Sequence, residues 1–198
     1  MEIAKNSALL MIDVQGGDMK GSWDTGEEGF DIAAAQERSH TMVQNAKKVL
    51  DVFRAKGLPV IQFKEVHRKN HVDFGRELDG AEGPHLLEDD PHTDYAHLTY
   101  PIEGEYCFTK RRYSCFFGTD LEILLKGLKV DTLYIVGGFT DVCVLYTAAD
   151  AHQHDYHIKV VTDAVSGSSV KAHLAALDAI KYLQRDSWVT IADIQSAL

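Results

Sequence analysis

The sequence alternates between short apolar runs and longer segments with helical periodicity, and this order constrains the fold more than any other feature. We predict strands at residues 8–13, 58–63, 105–109, 132–136, 157–162 and 188–191. Helices are predicted at 34–56, 120–128, about 142–152 and about 169–183. Strands that alternate with helices form a parallel sheet covered on both faces. The sequence therefore predicts an α/β fold, a three-layer α/β/α sandwich with a mostly parallel sheet.

Composition narrows the class of protein. A chain of 198 residues suits one domain, spanning residues 1–198. A formal net charge of −10 argues against a nucleic-acid partner. The three cysteines have no framework spacing, and the sequence shows neither a signal peptide nor an apolar run of bilayer length. We therefore expect a cytoplasmic protein with reduced thiols and no membrane partner.

The segment from Leu133 to Thr147 combines a buried strand, a Gly-Gly turn and the start of a helix. Thr140 and Asp141 are predicted to cap that helix, which places Cys143 in its first turn. Unpaired N–H groups there favour a thiolate and can hold an oxyanion. The segment is therefore a candidate nucleophile site. A buried cysteine that only fills the core is the alternative.

Asp13 and Lys110 lie, like Cys143, at or just after the ends of predicted strands. Parallel sheets place ligands beyond the carboxyl ends of their strands, so the three side chains are expected to converge. A carboxylate base, an ammonium group and a thiol are sufficient for covalent attack on an acyl carbon. The alternatives are a capping aspartate and a surface lysine.

Three motifs carry a family resemblance. They are Leu9-Leu-Met-Ile-Asp-Val-Gln15, Thr109-Lys-Arg-Arg-Tyr-Ser-Cys-Phe-Phe-Gly-Thr-Asp-Leu121 and Gly137-Gly-Phe-Thr-Asp-Val-Cys-Val-Leu-Tyr-Thr-Ala-Ala-Asp-Ala151. With them the chain resembles the isochorismatase-like cysteine hydrolases, which include nicotinamidases and N-carbamoylsarcosine amidohydrolases. The resemblance implies a six-stranded Rossmann-like sheet and assigns Asp13, Lys110 and Cys143 as catalytic residues. It also implies a cis peptide before Phe139 and an oxyanion hole formed by the backbone N–H groups of Phe139 and Cys143.

The same resemblance implies a reaction. Isochorismatases that cleave a vinyl ether lack the cysteine, so Cys143 favours hydrolysis of the C–N bond of a small amide or carbamoyl compound through a thioester. A metal-dependent nicotinamidase, a vinyl-ether hydrolase and a non-catalytic binding domain of the same fold are the alternatives. Family members commonly assemble, so we expect a homo-oligomer, either a dimer or a tetramer.

Nicotinamidases carry Asp-x-His and a further histidine as metal ligands, and the matching residues here are Glu65, His67 and His85. Because Glu65 departs from the pattern, we expect that no cofactor is required, although these residues could hold a divalent metal. Residues 65–104 form a long polar excursion of the kind that is usually functional. The expected pocket residues are Trp23, His71, Phe116, Phe117 and Tyr146.

Overall fold

The structure is a computed structural model that describes residues 2–16, 32–80 and 83–196. Its strands are β1 (Ser7–Ile12), β2 (Val60–Glu65), β3 (Tyr106–Lys110), β4 (Thr132–Gly138), β5 (His157–Ser166) and β6 (Trp188–Val189). They form one sheet in the order β3-β2-β1-β4-β5-β6, and every pairing is parallel. The predicted six-stranded α/β sheet is confirmed.

Within the described residues, five α-helices cover the two faces of the sheet: α1 (Ile32–Lys56), α2 (Leu121–Gly127), α3 (Leu145–Gln153), α4 (Val170–Leu183) and α5 (Ile191–Gln195). Alternate residues of β1 point to opposite faces. Leu9 packs in a core with Leu50 of α1 and Ile194 of α5. Leu10 packs in the other core with residues of α2, α3 and α4. The chain is thus a three-layer sandwich with a separate apolar core on each side of the sheet.

The register of the central strands brings their carboxyl ends to one edge. Ile12 pairs with Phe63 on one side and with Gly137 on the other, and Glu65 pairs with Lys110. Strand β2 begins two residues later than predicted and ends two residues later, because Leu58 and Pro59 belong to the turn after α1. This shift makes Glu65 the last residue of β2, directly beside Lys110.

The turn after β4 differs from the prediction. A π-helical turn, Thr140–Val144, precedes α3, and no side chain caps it. Asp141 instead accepts hydrogen bonds from the backbone and hydroxyl of Ser168, at 2.8 and 2.6 Å. The Thr140 hydroxyl lies 2.9 Å from Nδ1 of His173. The two expected caps therefore tie the turn to α4 and to the segment before it, and neither side chain caps the turn's own N–H groups.

Residues 65–80 and 83–104 cross the carboxyl edge of the sheet, with short 3₁₀ turns at Gly75–Asp79, Pro91–Thr93 and His97–Thr99. Two isolated bridges, Gln15 with Tyr95 and His67 with Leu87, hold the excursion against the strand ends. Residues 83–93 therefore form one wall above the sheet edge. None of the described helices is long and apolar enough to cross a bilayer.

Candidate active site

Asp13, Lys110 and Cys143 meet at the carboxyl edge of the sheet. Lys110 Nζ lies 2.8 Å from Asp13 Oδ2 and 3.4 Å from Cys143 Sγ. The lysine is buried, and the cysteine keeps only a small exposed fraction. Gly137 allows the ends of β4 and β1 to pair closely beside these side chains, because a Cβ there would overlap the carbonyl oxygen of Ile12. The three side chains thus come together as the strand-end argument expected.

A fourth charged group, Glu65, joins this cluster from β2. Its Oε2 pairs with Lys110 Nζ and lies 3.9 Å from Cys143 Sγ. Lys110 therefore sits between a buried carboxylate, a mostly buried one and a thiol. Charges in such a site must be paired, because removing an isolated ion from water is costly. The surface-lysine alternative is wrong for Lys110.

Burial and charge shift the proton affinities of these groups. Burial raises the pKa of Asp13 to about 6, although neighbouring Lys110 opposes this. Burial is the largest influence on Glu65 and would raise its pKa, but the charge of Lys110 and the hydrogen bonds from His67, His85 and Lys110 together hold that pKa well below its usual range. Burial would lower the pKa of Lys110, and the charges of Asp13, Cys143 and Glu65 raise it instead. The lysine stays an ammonium ion across the neutral range.

The thiol departs from expectation. Burial raises the pKa of Cys143 well above its usual value, because Lys110 offsets only part of the desolvation and the two carboxylates add to it. The expectation of an easily ionised thiol is wrong for the unliganded site. A neutral thiol beside a carboxyl whose pKa is about 6 requires proton transfer to accompany any attack by sulfur.

The backbone between β4 and α3 has the conformation that the resemblance implies. The peptide bond between Gly138 and Phe139 is cis. The Phe139 carbonyl accepts hydrogen bonds from the N–H groups of Val142 and Val144, at 3.1 and 3.0 Å. Phe139 and Cys143, whose N–H groups are the expected oxyanion donors, both line the same cavity.

A second cluster lies against the first and contains the expected metal ligands together with Glu77. One donor atom from each of Glu65, His67, Glu77 and His85 lies within 4.8 Å of the others. His67 Nε2 is 3.1 Å from Glu65 Oε1, and His85 Nε2 is 3.4 Å from Glu77 Oε1. Two imidazoles and two carboxylates form a donor set suited to a divalent transition metal.

The protonation of the histidines tests whether a cation fits. His85 Nδ1 lies 2.7 Å from the Gly83 carbonyl, which can only accept, so Nδ1 carries the proton and Nε2 faces the carboxylates. Both oxygens of Glu77 are buried and make no hydrogen bond among the described residues. Unless Nε2 is protonated as well, its lone pair faces carboxylate oxygens, and a cation between them would relieve that repulsion. The cluster therefore fits a divalent metal, and the substitution of Glu for Asp at position 65 does not disrupt it.

A further carboxylate and an aromatic ring lie against His67. Asp73 Oδ1 lies 3.7 Å from His67 Nδ1, and Asp73 Oδ2 pairs with Arg111 Nε at 2.9 Å. The His67 ring also stacks on Phe74, with ring centroids 3.8 Å apart. Carboxylates behind metal-binding histidines orient the ring and raise the basicity of the ligand. The stacking on Phe74 therefore holds the His67 ring, and Asp73 adds a negative charge behind Nδ1 without a hydrogen bond to it.

Both clusters open into one cavity of about 310 Å³. The apolar walls come mainly from Met42, Leu86, Leu87, Phe139 and Val142, and the polar end holds Asp13, Glu65, Glu77, His85 and Cys143. A volume near 300 Å³ is at the lower end for small-molecule sites, which indicates a compact ligand.

Most of the expected pocket residues lie elsewhere. Phe116 packs against His154 and Tyr156, and Phe117 is 65% exposed, because both follow β3 onto the outer surface near α2. His71 stands on the excursion with its ring against Phe74. Tyr146 is 54% exposed and stacks on Tyr113, which does line the cavity. Trp23 lies outside the described residues.

Sequence reasoning missed Glu77, Gln15 and Asp73. The Gln15 side chain bonds the backbone of Glu65 at 2.8 and 2.9 Å and the Thr93 carbonyl at 2.6 Å, which holds the excursion over β2. Its place two residues after Asp13 was an available signal. Glu77 and Asp73 lie in a segment without periodicity, so no local pattern indicates a function for them. Only the fold of that segment over the sheet edge brings them to the site.

Comparison with known proteins agrees with this architecture. The chain matches the isochorismatase domain over residues 7–194. It is 34% identical over 152 residues to the uncharacterized isochorismatase family protein YwoC of Bacillus subtilis, covering 71% of this chain and 75% of that protein. N-carbamoylsarcosine amidase of Thermoplasma acidophilum is 26% identical with a TM-score of 0.77, over 96% and 97% of the two chains. Pyrazinamidase of Pyrococcus horikoshii, solved in complex with zinc, is 27% identical with a TM-score of 0.74, over 93% and 99%. With a domain match over nearly its whole length, the chain belongs to the isochorismatase family of hydrolases.

Proposed function

We propose that the protein hydrolyses the C–N bond of a small amide or carbamoyl compound through a thioester on Cys143. The observation that carries this proposal is the position of Lys110 Nζ, in contact with Asp13 and 3.4 Å from Cys143 Sγ at one end of the cavity. A nucleophile, a base and a cation are thereby aligned toward the space that a substrate carbonyl would fill.

In the first half of the reaction, Asp13 accepts the thiol proton as sulfur attacks the carbonyl carbon. The backbone N–H groups of Phe139 and Cys143 hold the developing oxyanion. Asp13 then returns the proton to the departing nitrogen, and ammonia or an amine leaves. A carboxyl group whose pKa is about 6 suits both transfers, because it gains and loses a proton readily near neutral pH.

In the second half, Asp13 removes a proton from water, which attacks the thioester and releases the acid and the thiol. Lys110 stays charged throughout and compensates the negative charge that moves among Asp13, Glu65 and Cys143. Its burial strengthens this effect, because the surrounding dielectric is low.

The buried cluster favours a second candidate, a metal-dependent amidase. The residues that would hold a divalent cation are Glu65, His67, Glu77 and His85. When bound, such a cation would supply Lewis acidity that polarises a ligand at the polar end of the cavity. The thioester chemistry itself proceeds on Asp13, Lys110 and Cys143, so we propose that a metal assists substrate placement and that measurable turnover remains without it.

The test is an ammonia-release screen over small amides, ureas and carbamoyl compounds. We expect turnover by the wild type and none by Cys143→Ala. Cys107→Ala is the matched control, because Cys107 is an exposed thiol on the edge strand β3 and should be dispensable. Full activity in Cys143→Ala would refute the thioester route. Equal activity before and after metal removal would refute the metal-assisted candidate.

A further inference from the structure

The described residues that line the cavity carry more acidic than basic side chains. Four of the described residues that line it are acidic: Asp13, Glu65, Glu77 and Asp90. Those lining residues include neither a lysine nor an arginine. Lys110 lies beneath the cavity and is already paired with two of the carboxylates. The excess of acidic groups therefore projects into the space that a substrate would occupy.

The neighbouring cationic groups do not reverse this excess. A cation held at the cluster, whether a metal ion or imidazolium protons, is balanced by Glu65 and Glu77. The partial positive charge of the turn at Phe139–Val144 is directed at the reacting carbonyl, where the proposed oxyanion forms. Away from that turn, the cavity wall includes Asp90, the imidazole of His92 and the apolar side chains of Leu86 and Leu87.

We propose that this cavity selects compact amides or ureas whose acyl portion carries no carboxylate. The inference rests on the proposed function, since it takes the Cys143 cavity as the substrate site. A second carboxylate would meet these negative charges, and the described lining residues include no lysine or arginine to pair with it. Such selection separates this chain from N-carbamoylsarcosine amidase, whose named substrate carries a carboxylate. It also aids turnover, because hydrolysis of an amide creates a carboxylate that the same acidic groups repel.

The test uses two thiol reagents of nearly equal size, neutral iodoacetamide and anionic iodoacetate. Alkylation rates at Cys143 and at exposed Cys107 are measured by mass spectrometry in one sample at one pH. Cys107 is the internal reference, since it corrects for the intrinsic difference between the reagents. We expect the iodoacetamide-to-iodoacetate rate ratio to be about tenfold larger at Cys143 than at Cys107, which corresponds to one excess negative charge near the sulfur.

Two matched variants test the electrostatic cause. Asp90→Asn keeps the side-chain oxygen that accepts from the backbone of His92 and removes one charge from the wall. Asp51→Asn removes a charge from the exposed end of an ion pair on α1, outside the cavity. The iodoacetamide-to-iodoacetate rate ratio at Cys143, relative to that at Cys107, should fall about threefold in Asp90→Asn and stay unchanged in Asp51→Asn. An unchanged ratio in Asp90→Asn would refute the electrostatic explanation.

Equal ratios at the two cysteines, or faster labelling of Cys143 by iodoacetate, would overturn the inference. The readout needs no turnover and no identified substrate, so it fails separately from the proposed function. Ammonia release that survives Cys143→Ala would refute the function and leave the charge ratio standing. Ammonia release that depends on Cys143, together with equal labelling ratios, would refute only the charge selection.

Discussion

Replacing Lys110 with methionine should lower the free energy of unfolding by several kcal/mol. The change keeps the length of the side chain and removes the ammonium group that neutralises Asp13 and Glu65. At 2.8 Å from Asp13 Oδ2, the lost attraction is about 6 kcal/mol at an effective dielectric constant near 20. The carboxyls can limit this loss by binding protons. At pH 7 this costs at most about 4 kcal/mol for an aspartate and slightly less for a glutamate.

Breaking a buried pair by removing one partner typically costs about 3–5 kcal/mol. This cost lies within the combined limit that protonation of the two carboxyls sets. For a chain of this size, we expect the Tm to fall by about 6–20 °C. Urea denaturation followed by circular dichroism, with chelator present in every sample, measures the free energy of unfolding. Lys47→Met, which breaks an exposed pair with Asp51 on α1, is the control and should cost less than about 1 kcal/mol.

The pH dependence identifies the cause. Without the lysine, burial raises the folded-state pKa of Asp13 and Glu65 above the unfolded value, so the folded state binds more protons. The loss in free energy of unfolding caused by Lys110→Met should therefore be smaller at pH 5 than at pH 7. Each carboxyl can reduce it by up to about 1.4 kcal/mol for every pH unit. The triple variant with Asp13→Asn and Glu65→Gln should recover much of the lost stability. A deficit under about 1 kcal/mol, or one that is equal at both pH values, would refute the reasoning.

Three further outcomes are expected. Asp13 must be ionised to accept the thiol proton, and its pKa is about 6, so kcat/KM should fall as the pH drops below about 6. The Asp13→Asn variant should have a kcat/KM at least about a hundredfold lower at pH 7. A flat pH profile between pH 5 and 7 would contradict this role for Asp13. Asp73→Asn should bind Zn²⁺ at least about tenfold more weakly by calorimetry, as expected for loss of the carboxylate behind His67, whereas Asp79→Asn, at an exposed ion pair, should bind it unchanged. Sedimentation velocity at micromolar concentration should show a dimer or tetramer, and a single species near 22 kDa would refute self-association.

The sequence predicted the sheet and the meeting of Asp13, Lys110 and Cys143 because both follow from periodicity and from strand ends. A parallel sheet brings its carboxyl ends to one edge, whatever the details of packing. The role of Glu65 beside Lys110 was not predictable, since it depends on β2 ending two residues later than its apolar run suggested. Strand boundaries depend on turn geometry and pairing, which hydrophobicity does not record.

The raised pKa of the Cys143 thiol was also hidden from the sequence. Position at a helix start argues for an acidic thiol, but burial and two carboxylates act in the opposite direction, and both arise only after folding. Similarly, Glu77 and His85 meet across a loop without periodicity. Local patterns indicate which residues are chemically capable, whereas the balance of their charges is set by tertiary contacts.

The most direct test of the proposed mechanism is intact-protein mass spectrometry during turnover of an amide found in the screen. Rapid acid quenching should reveal a mass increase equal to the acyl group less one hydrogen, and peptide mapping should place it on Cys143. The adduct should accumulate when hydroxylamine is absent and disappear when it is added, because hydroxylamine cleaves thioesters. Turnover without an adduct, or an adduct on Cys107 or Cys115, would contradict the assignment of Cys143 as the nucleophile.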